Sequence, residues 1–427
     1  MSPASARRVL LLEGPPTSFF SVLVRHFEEA DVPVTRVLLH AGDWLFARGH
    51  GISFRGRIDE FEPFLRKLIA DNAITDIIYF ADRLPYHRVA ARVAEEVGVI
   101  PYAIENGYLR PDWLTLEPGG MGVYSRFPTD RGHIERIASD APTIDDVIRY
   151  RHLFTNEAFH DVAYNFARLL GSPGYWHFDD DKPTSPVREY AAWVPQLLRR
   201  QIARNRAPRQ LQRILKHNKP YFLVPLQLEV DYQIRDNSPY RRLSAFIDEV
   251  FASFARHAPK ETSVLVKIHP LDSGLENWRH TLKRIKRDHD LTGRIRMIAA
   301  GSLQDMLDNA AGVVLVNSTV GLYALRAGAP TKAMGSAVYN LPDLTDQQPL
   351  DTFWSNPQKP DKEYVKTFVK ALARATQLKG SFYNPAGMEV GAAEVVRRIK
   401  AEIGRSDMFV FPPPRLEAAR VMGVNVR

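Results

Sequence analysis

Short apolar runs alternate with helix-length amphipathic segments in two separate series along this chain, and that alternation restricts the possible folds more than any other feature. The first series predicts strands at Arg8–Leu12, Val34–Leu39, Asp76–Ala81 and Ile100–Ile104, with helices at Phe19–Ala30, Ile58–Asp71 and Tyr86–Val97. Strands separated by helices of this length must lie parallel, with helices covering both faces of the sheet. A second series starts at Tyr221. Strands Tyr221–Leu226, Ser263–Ile268, Ile295–Ile298 and Gly312–Val316 alternate there with helices Tyr240–Ala258, Leu275–His289, Ser302–Asn309 and Thr319–Ala327. Between the series the pattern reads as helices only, at Thr143–Leu153, Glu157–Leu170 and Val187–Lys216.

The fold class expected is therefore α/β, with two Rossmann-like domains facing a cleft and a helical insertion or connector. The expected division is residues 1–140, a connector at 141–216, a second domain at 217–380, and a C-terminal helix crossing back with a tail at 381–427. A length of 427 residues suits two cores of ordinary size.

Composition narrows the partners. No stretch approaches the roughly 20 uninterrupted apolar residues of a membrane-spanning helix. The opening MSPASARR lacks the apolar core of a secretory signal, so the chain is expected to stay in the cytoplasm. Without cysteine there are no disulfides, thiolate metal sites or cysteine nucleophiles. The formal charge of +8 favours a polyanionic partner. Much of it sits between Arg199 and Lys219, where Arg199, Arg200, Arg204, Arg206, Arg209, Arg213, Lys216 and Lys219 occur without one acid, and a second cluster runs from Arg279 to Lys286. These are either solvated helix faces or contacts to an anionic membrane surface. No zinc-finger spacing, aromatic RNA-binding signature or basic tail accompanies them, so nucleic acid is not expected as a partner. The loop GSPGYWHFDDDKPTSP sets His177 beside Asp179, Asp180 and Asp181, which reads as a solvated turn and not as a metal site.

In open α/β sheets ligands bind beyond the carboxyl ends of the strands. Five such places carry chemistry. After the first strand, the loop from Glu13 and Gly14 to Ser18 enters a helix whose free N–H groups suit an anion or an acceptor hydroxyl. After Ile104 come Glu105, Asn106, Gly107 and Arg110, where Arg110 pairs with Glu105 or binds a sugar carboxylate. At the end of the second series' first strand stand Gln227 and Asp231, the latter a cleft carboxylate or a helix cap. Lys267, His269 and Pro270 close the next strand, and His269 suits a phosphate or proton transfer. Asn317, Ser318, Thr319 and Gly321 follow the fourth, as caps of a helix whose positive end suits a phosphate.

Taken in order, LEGPPTSFF, AGDW, ENGYLRP, PLQxxxD, KIHP and NSTVGLYAL with RAGAPTKAMG resemble the capsule polysaccharide biosynthesis family, and within it the KpsS/LipB type of β-Kdo glycosyltransferase. The resemblance covers about Val9 to Asp343. It implies a GT-B fold, CMP-Kdo as donor, no metal in the chemistry and no cofactor. It also implies action at the inner face of the inner membrane on a (lyso)phosphatidylglycerol-type lipid, beside other capsule biosynthesis proteins. Asp231 then matches the nucleophile of a retaining transfer, Glu105 the cleft glutamate, and His269 the histidine near the CMP phosphate. Gln227, Lys267, Pro270 and the Asn317–Gly321 loop fall on the donor side, and Gly14, Ser18, Asn106, Gly107 and Arg110 on the acceptor side. Relatives with EDG carry an acid where this chain has Asn106, so proton transfer falls to Glu105 alone or to solvent. A CMP-sialic-acid-type transferase and a non-catalytic scaffold of the capsule assembly or export machinery are the alternative readings.

Overall fold

The computed structural model describes residues 7–151, 154–179, 203–216, 219–229, 231–272 and 274–426. The chain forms two compact units, one of Met1–Asp181 with Lys370–Pro414 and the other of Lys182–Val369 with Arg415–Arg427.

In the first unit, β1 (Val9–Leu11), α1 (Phe19–Glu29), β2 (Val34–Leu38), α2 (Ala41–Phe46) and β3 (Ile52–Ser53) come first. Then follow α3 (Ile58–Asp71), β4 (Asp76–Phe80), α4 (Pro85–Val97), β5 (Ile100–Asn106), β6 (Trp113–Pro118), α5 (Arg131–Ser139) and α6 (Phe154–Leu170). Alternation within β1 explains the layers. Val9 and Leu11 pack under α1 in one apolar cluster, while Leu10 and Leu12 join Phe61, Leu65 and Ala90 of α3 and α4 in the other. Local signals fix the helix ends: α4 begins with Pro85 at its first turn and stops at Gly98, whose φ of 75° lies in the left-handed region.

The second unit opens with the helix of residues 203–216, α7. It continues through β7 (Tyr221–Pro225), α8 (Tyr232–Asn237), α9 (Leu243–His257), β8 (Ser263–Lys267), α10 (Trp278–Asp288) and β9 (Ile295–Ile298). After these come α11 (Leu303–Asp308), β10 (Gly312–Leu315), α12 (Val320–Arg326), β11 (Thr331–Ala333), α13 (Leu350–Phe353) and α14 (Lys362–Thr376). The chain returns to the first unit along α14, adds β12 (Gln377–Lys379) and α15 (Pro385–Lys400), and ends in the second unit with α16 (Leu416–Val421). α15 packs along α1, with Phe19 edge-on to Phe382 at 5.0 Å.

Both sheets are built the same way. The described strands of the second run β11-β10-β7-β8-β9, all parallel. Those of the first run β12-β6-β5-β4-β1-β2-β3, with β3, β2, β1, β4 and β5 parallel and the edge strands β6 and β12 antiparallel. Within each parallel set the first strand lies between the second and the fourth. This is the Rossmann order, and it leaves a switch point at β1/β4 in one sheet and β7/β10 in the other.

The helix expected at Thr143–Leu153 is not there: no helix occupies residues 141–151. Tertiary hydrogen bonds take the place of the helical ladder. Asp112 Oδ2 accepts from the backbone N–H of Arg149 and Tyr150, Lys379 donates to Val147 O, and Asn384 donates to Arg151 O. Of the helix expected at Val187–Lys216, residues 203–216 are helical, and the remainder, with Arg199 and Arg200, lies outside the described residues. So do Asp180 and Asp181. Among the described residues no three imidazole or carboxylate groups assemble to hold a metal ion.

Candidate functional site

In the second unit, residues beyond β7 and β10 meet at the switch point. Gln227 and Asn317 bond each other across it, with Gln227 Nε2 donating to Asn317 Oδ1 at 2.9 Å and Asn317 N to Gln227 Oε1 at 3.4 Å. The Asn317 amide also donates to Gln233 O at 2.8 Å, which fixes the start of α8. Asp231 caps that helix, its Oδ1 accepting from Gln233 N at 2.9 Å. Residues from two stretches of sequence, one after β7 and one after β10, are thus held in one network.

The capping expected of Asn317, Ser318 and Thr319 is divided differently. Ser318 Oγ accepts from Val320 N at 3.3 Å, Thr319 at the cap position makes no side-chain cap bond, and Asn317 serves α8 instead. Gly321 is buried against the Tyr339 ring, where a Cβ would collide.

Lys267 and His269 leave β8 beside this network. Burial pushes the Lys267 ammonium below its usual range, and no carboxylate pairs with it among the described residues. A desolvated cation of this kind is stabilised by an incoming anion. His269 Nδ1 accepts from Leu271 N at 3.0 Å, so in the neutral ring Nε2 carries the proton as a donor. Pro270 follows in the same turn, which Asp272 closes by accepting from Gly274 N and Trp278 Nε1.

Glu229, which the sequence did not single out, lies in the same segment. Burial, reinforced by the charge of Glu276, pushes its carboxyl up to about 7, while Oε2 accepts from Leu243 N at 3.0 Å at the head of α9. A raised carboxyl pKa favours the native state at low pH, and this contribution is lost as pH rises from the unfolded value through about 7. Glu229→Gln is therefore expected to raise the melting temperature at pH 8 by the equivalent of about 1 kcal/mol, after allowance for solvent screening, and to change it little at pH 5. Calorimetry at the two pH values checks this.

In the first unit β5 continues past Ile104, so Glu105 and Asn106 are strand residues paired with Thr115 and Leu114 of β6. Glu105 Oε1 accepts from Asn106 N at 3.0 Å and Asn106 Nδ2 at 3.2 Å. Gly107 closes the β5–β6 turn by donating to Trp113 O at 2.7 Å, where any Cβ would strike the Trp113 backbone. Arg110 is exposed, and both it and Glu105 act on the buried Tyr383 hydroxyl through their charges. Gly14 is buried against the Phe20 ring. Ser18 makes no cap bond and its Oγ lies 3.7 Å from Met388 Sδ, while Thr17 Oγ1 accepts from Phe19 N.

The same edge holds a buried polar cluster centred on Glu13, directly after β1 at the switch point. His40 Nε2 lies 3.3 Å from Glu13 Oε1, and Tyr164 Oη is 3.2 Å from that oxygen, 3.0 Å from His40 Nε2 and 3.3 Å from Asp43 Oδ1. His40 Nδ1 accepts from Gly42 N and Asp43 N, so Nε2 bears the proton. Burial raises the Glu13 carboxyl, but the charge and hydrogen bond of His40, with Tyr164, outweigh it and hold the group at about 2. Burial lowers the imidazole in turn, and Asp43 and Glu13 more than reverse this. Asp43 itself is pushed up by burial. Phe80 N donates to Glu13 O and Ala81 N to Ile104 O, so Glu13 lies level with the end of β4 and with Ile104 of β5. Glu13 and Glu105 are then two strands apart, on the order of 10 Å along one edge.

A family model described as capsule polysaccharide biosynthesis protein matches residues 75–383. The capsule polysaccharide export protein KpsS of Escherichia coli is 32% identical over 388 residues, covering 89% of this chain and 97% of that protein. The chain belongs to the capsule polysaccharide biosynthesis family. Another relative is the capsule polysaccharide modification protein LipB of Neisseria meningitidis serogroup A, 31% identical over 89% of this chain and 92% of its own length. Among solved structures, the KpsC β-Kdo 2,7 transferase of Thermosulfurimonas dismutans aligns over 93% of this chain and 99% of its own, with a TM-score of 0.46 and 15% identity.

Each unit of this capsule-family chain presents a polar edge at its switch point, and the two differ in chemistry. The second unit offers donors to an anion, from Lys267 and the His269 ring after β8, and the Asp231 carboxylate stands in the hydrogen-bonded loop after β7. The first offers carboxylates, Glu13 and Glu105, suited to accepting hydroxyl protons in hydrogen bonds.

Proposed function

We propose that this family member is a retaining β-Kdo glycosyltransferase of GT-B type, moving Kdo from CMP-Kdo to a (lyso)phosphatidylglycerol-type lipid to start the poly-Kdo linker of a capsular polysaccharide. The observation that carries the reading is Lys267, desolvated with no described carboxylate partner at the end of β8, the strand next to β7, whose own end bears the Gln227–Asn317 bridge to β10. Lys267 and His269 receive the CMP phosphate, and their positive charge and N–H stabilise it as a leaving group. The Asp231 carboxylate attacks the anomeric carbon, the carbon–oxygen bond to CMP breaks, and the glycosyl ester forms. The acceptor hydroxyl then displaces Asp231 from the same face that CMP left, its proton passing to Glu105 or to water, so the configuration is retained.

Lys267→Ala is expected to weaken CMP binding at least about tenfold, because a charge-assisted contact is lost, without lowering the melting temperature. Calorimetric titration with CMP reads the first and a thermal melt the second. CMP release from CMP-Kdo that requires added lysophosphatidylglycerol tests the function, and release from CMP-sialic acid but not from CMP-Kdo would replace the donor.

The membrane partner rests on α7, whose Arg204, Arg206, Arg209, Arg213 and Lys216 are all exposed, while Ala207, Leu211 and Ile214 face inward. Electrostatic attraction to an anionic surface through this face weakens with salt.

A further inference from the structure

The helix α6 is amphipathic in the opposite sense to a core helix. At about 100° per residue, Phe159, Val162, Phe166, Leu169 and Leu170 fall within an arc of roughly 100°, and Tyr164 lies on the far side. Tyr164 is buried, yet the apolar arc is open to solvent, with Phe159 69%, Phe166 56% and Leu170 66% exposed. The helix's acids, Glu157 and Asp161, fall on the side turned away from that arc. α2 packs beside α6 and adds Trp44 and Leu45, both exposed. The chain after α6 adds Trp176, 79% exposed between two anchored aromatics: Tyr175 bonds Ser53 at 2.9 Å, and Phe178 stacks on Tyr86. Exposed apolar side chains concentrated on packed neighbouring elements mark an interaction face.

The margin of the face identifies the occupant. Arg48 and Arg55 are exposed near α2 and Tyr175, and neither makes an ion pair among the described residues; Arg55 lies over the Tyr175 ring at 5.6 Å. Tryptophan, phenylalanine and leucine bordered by uncompensated arginine match the headgroup–acyl boundary of an anionic bilayer. We propose that the outer face of α6, with Trp44, Leu45 and Trp176, inserts into the surface of an anionic membrane. The opposite face of the same helix holds Tyr164 on Glu13, so seating α6 on a bilayer brings the β1/β4 edge to the lipid surface. The inference does not depend on glycosyl transfer, and it differs from attraction through α7 because an apolar contact persists in high salt.

Full-length protein is mixed with vesicles of phosphatidylcholine and phosphatidylglycerol, some carrying brominated acyl chains, in molar salt. The expected result is co-sedimentation with quenching of tryptophan fluorescence by the bromines, and a loss of partitioning of about tenfold or more in Phe159→Ser/Phe166→Ser with an unchanged thermal melt. Asp231→Ala binds like the wild type, which separates this result from failure of the transferase reading. Absence of quenching in the wild type, or equal partitioning of the double variant, overturns the inference. So does concentration-dependent self-association in ultracentrifugation that the double variant abolishes, because the face would then belong to a second copy of the chain.

Discussion

Asp231→Asn leaves the protein folded and reduces transfer by at least roughly a thousandfold, the loss expected when a covalent nucleophile is removed. The choice of asparagine matters because Asp231 has a structural duty as well: its Oδ1 accepts from Gln233 N at the head of α8. Asparagine keeps that acceptor. Alanine does not, and Asp231→Ala should additionally cost about 1 kcal/mol of stability, the usual worth of a lost N-cap. A purely structural Asp231 predicts the reverse order, with asparagine nearly as active as the wild type and alanine impaired in proportion to its stability. Rates of CMP release and thermal melts on both variants separate the two roles.

His40→Ala is the second large effect. It leaves the Glu13 carboxylate and the Asp43 carboxyl facing each other without the imidazole that joins them, and breaking a buried ion pair from one side costs about 3 kcal/mol. The pH dependence carries its own signature. His40 is raised in the fold, so its contribution is complete below its unfolded value of about 6.5 and is lost as pH rises through the folded value. Glu13, held at about 2, contributes above the unfolded carboxylate value and loses this as pH falls through about 2. Asp43 is raised and opposes Glu13 on the acid side, with Arg36 and Arg168 the cations that also act on the cluster. Glu229, raised to about 7, also loses its contribution as pH rises, so His40 is read from the difference between the two proteins. Melting temperature should decline more steeply above pH 6.5 in the wild type than in His40→Ala; declines of equal slope in both proteins would contradict the assignment.

Much of the fold was legible because burial on both faces of a parallel strand leaves an unbroken apolar run, as in Val9–Leu11, Tyr221–Pro225 and Gly312–Leu315, and the intervening helices carry clear apolar faces. The edges were not. β12 is only Gln377–Lys379, too short for a period-two pattern, and its pairing with β6 depends on a chain return from more than two hundred residues away. Residues 141–151 looked helical by composition, but Asp112, Lys379 and Asn384 offer their backbone polar groups tertiary partners, and these override local propensity. The Gln227–Asn317 contact had a local signal, because each residue stands two positions beyond the end of a strand. The Glu13 cluster had no such signal as a whole, since His40 and Asp43 come from the start of α2 and Tyr164 from α6, more than a hundred residues further on. The position of Glu13 immediately after β1 was the one local signal for it.

The central claim is that this capsule-family chain transfers a CMP-activated ulosonic acid to lipid, and mass spectrometry of the lipid tests it most directly. With CMP-Kdo and lysophosphatidylglycerol present, the wild-type protein should convert the lipid to a species heavier by one Kdo residue, and Asp231→Asn should not. A lipid of unchanged mass after incubation with folded wild-type protein that binds CMP would contradict the account.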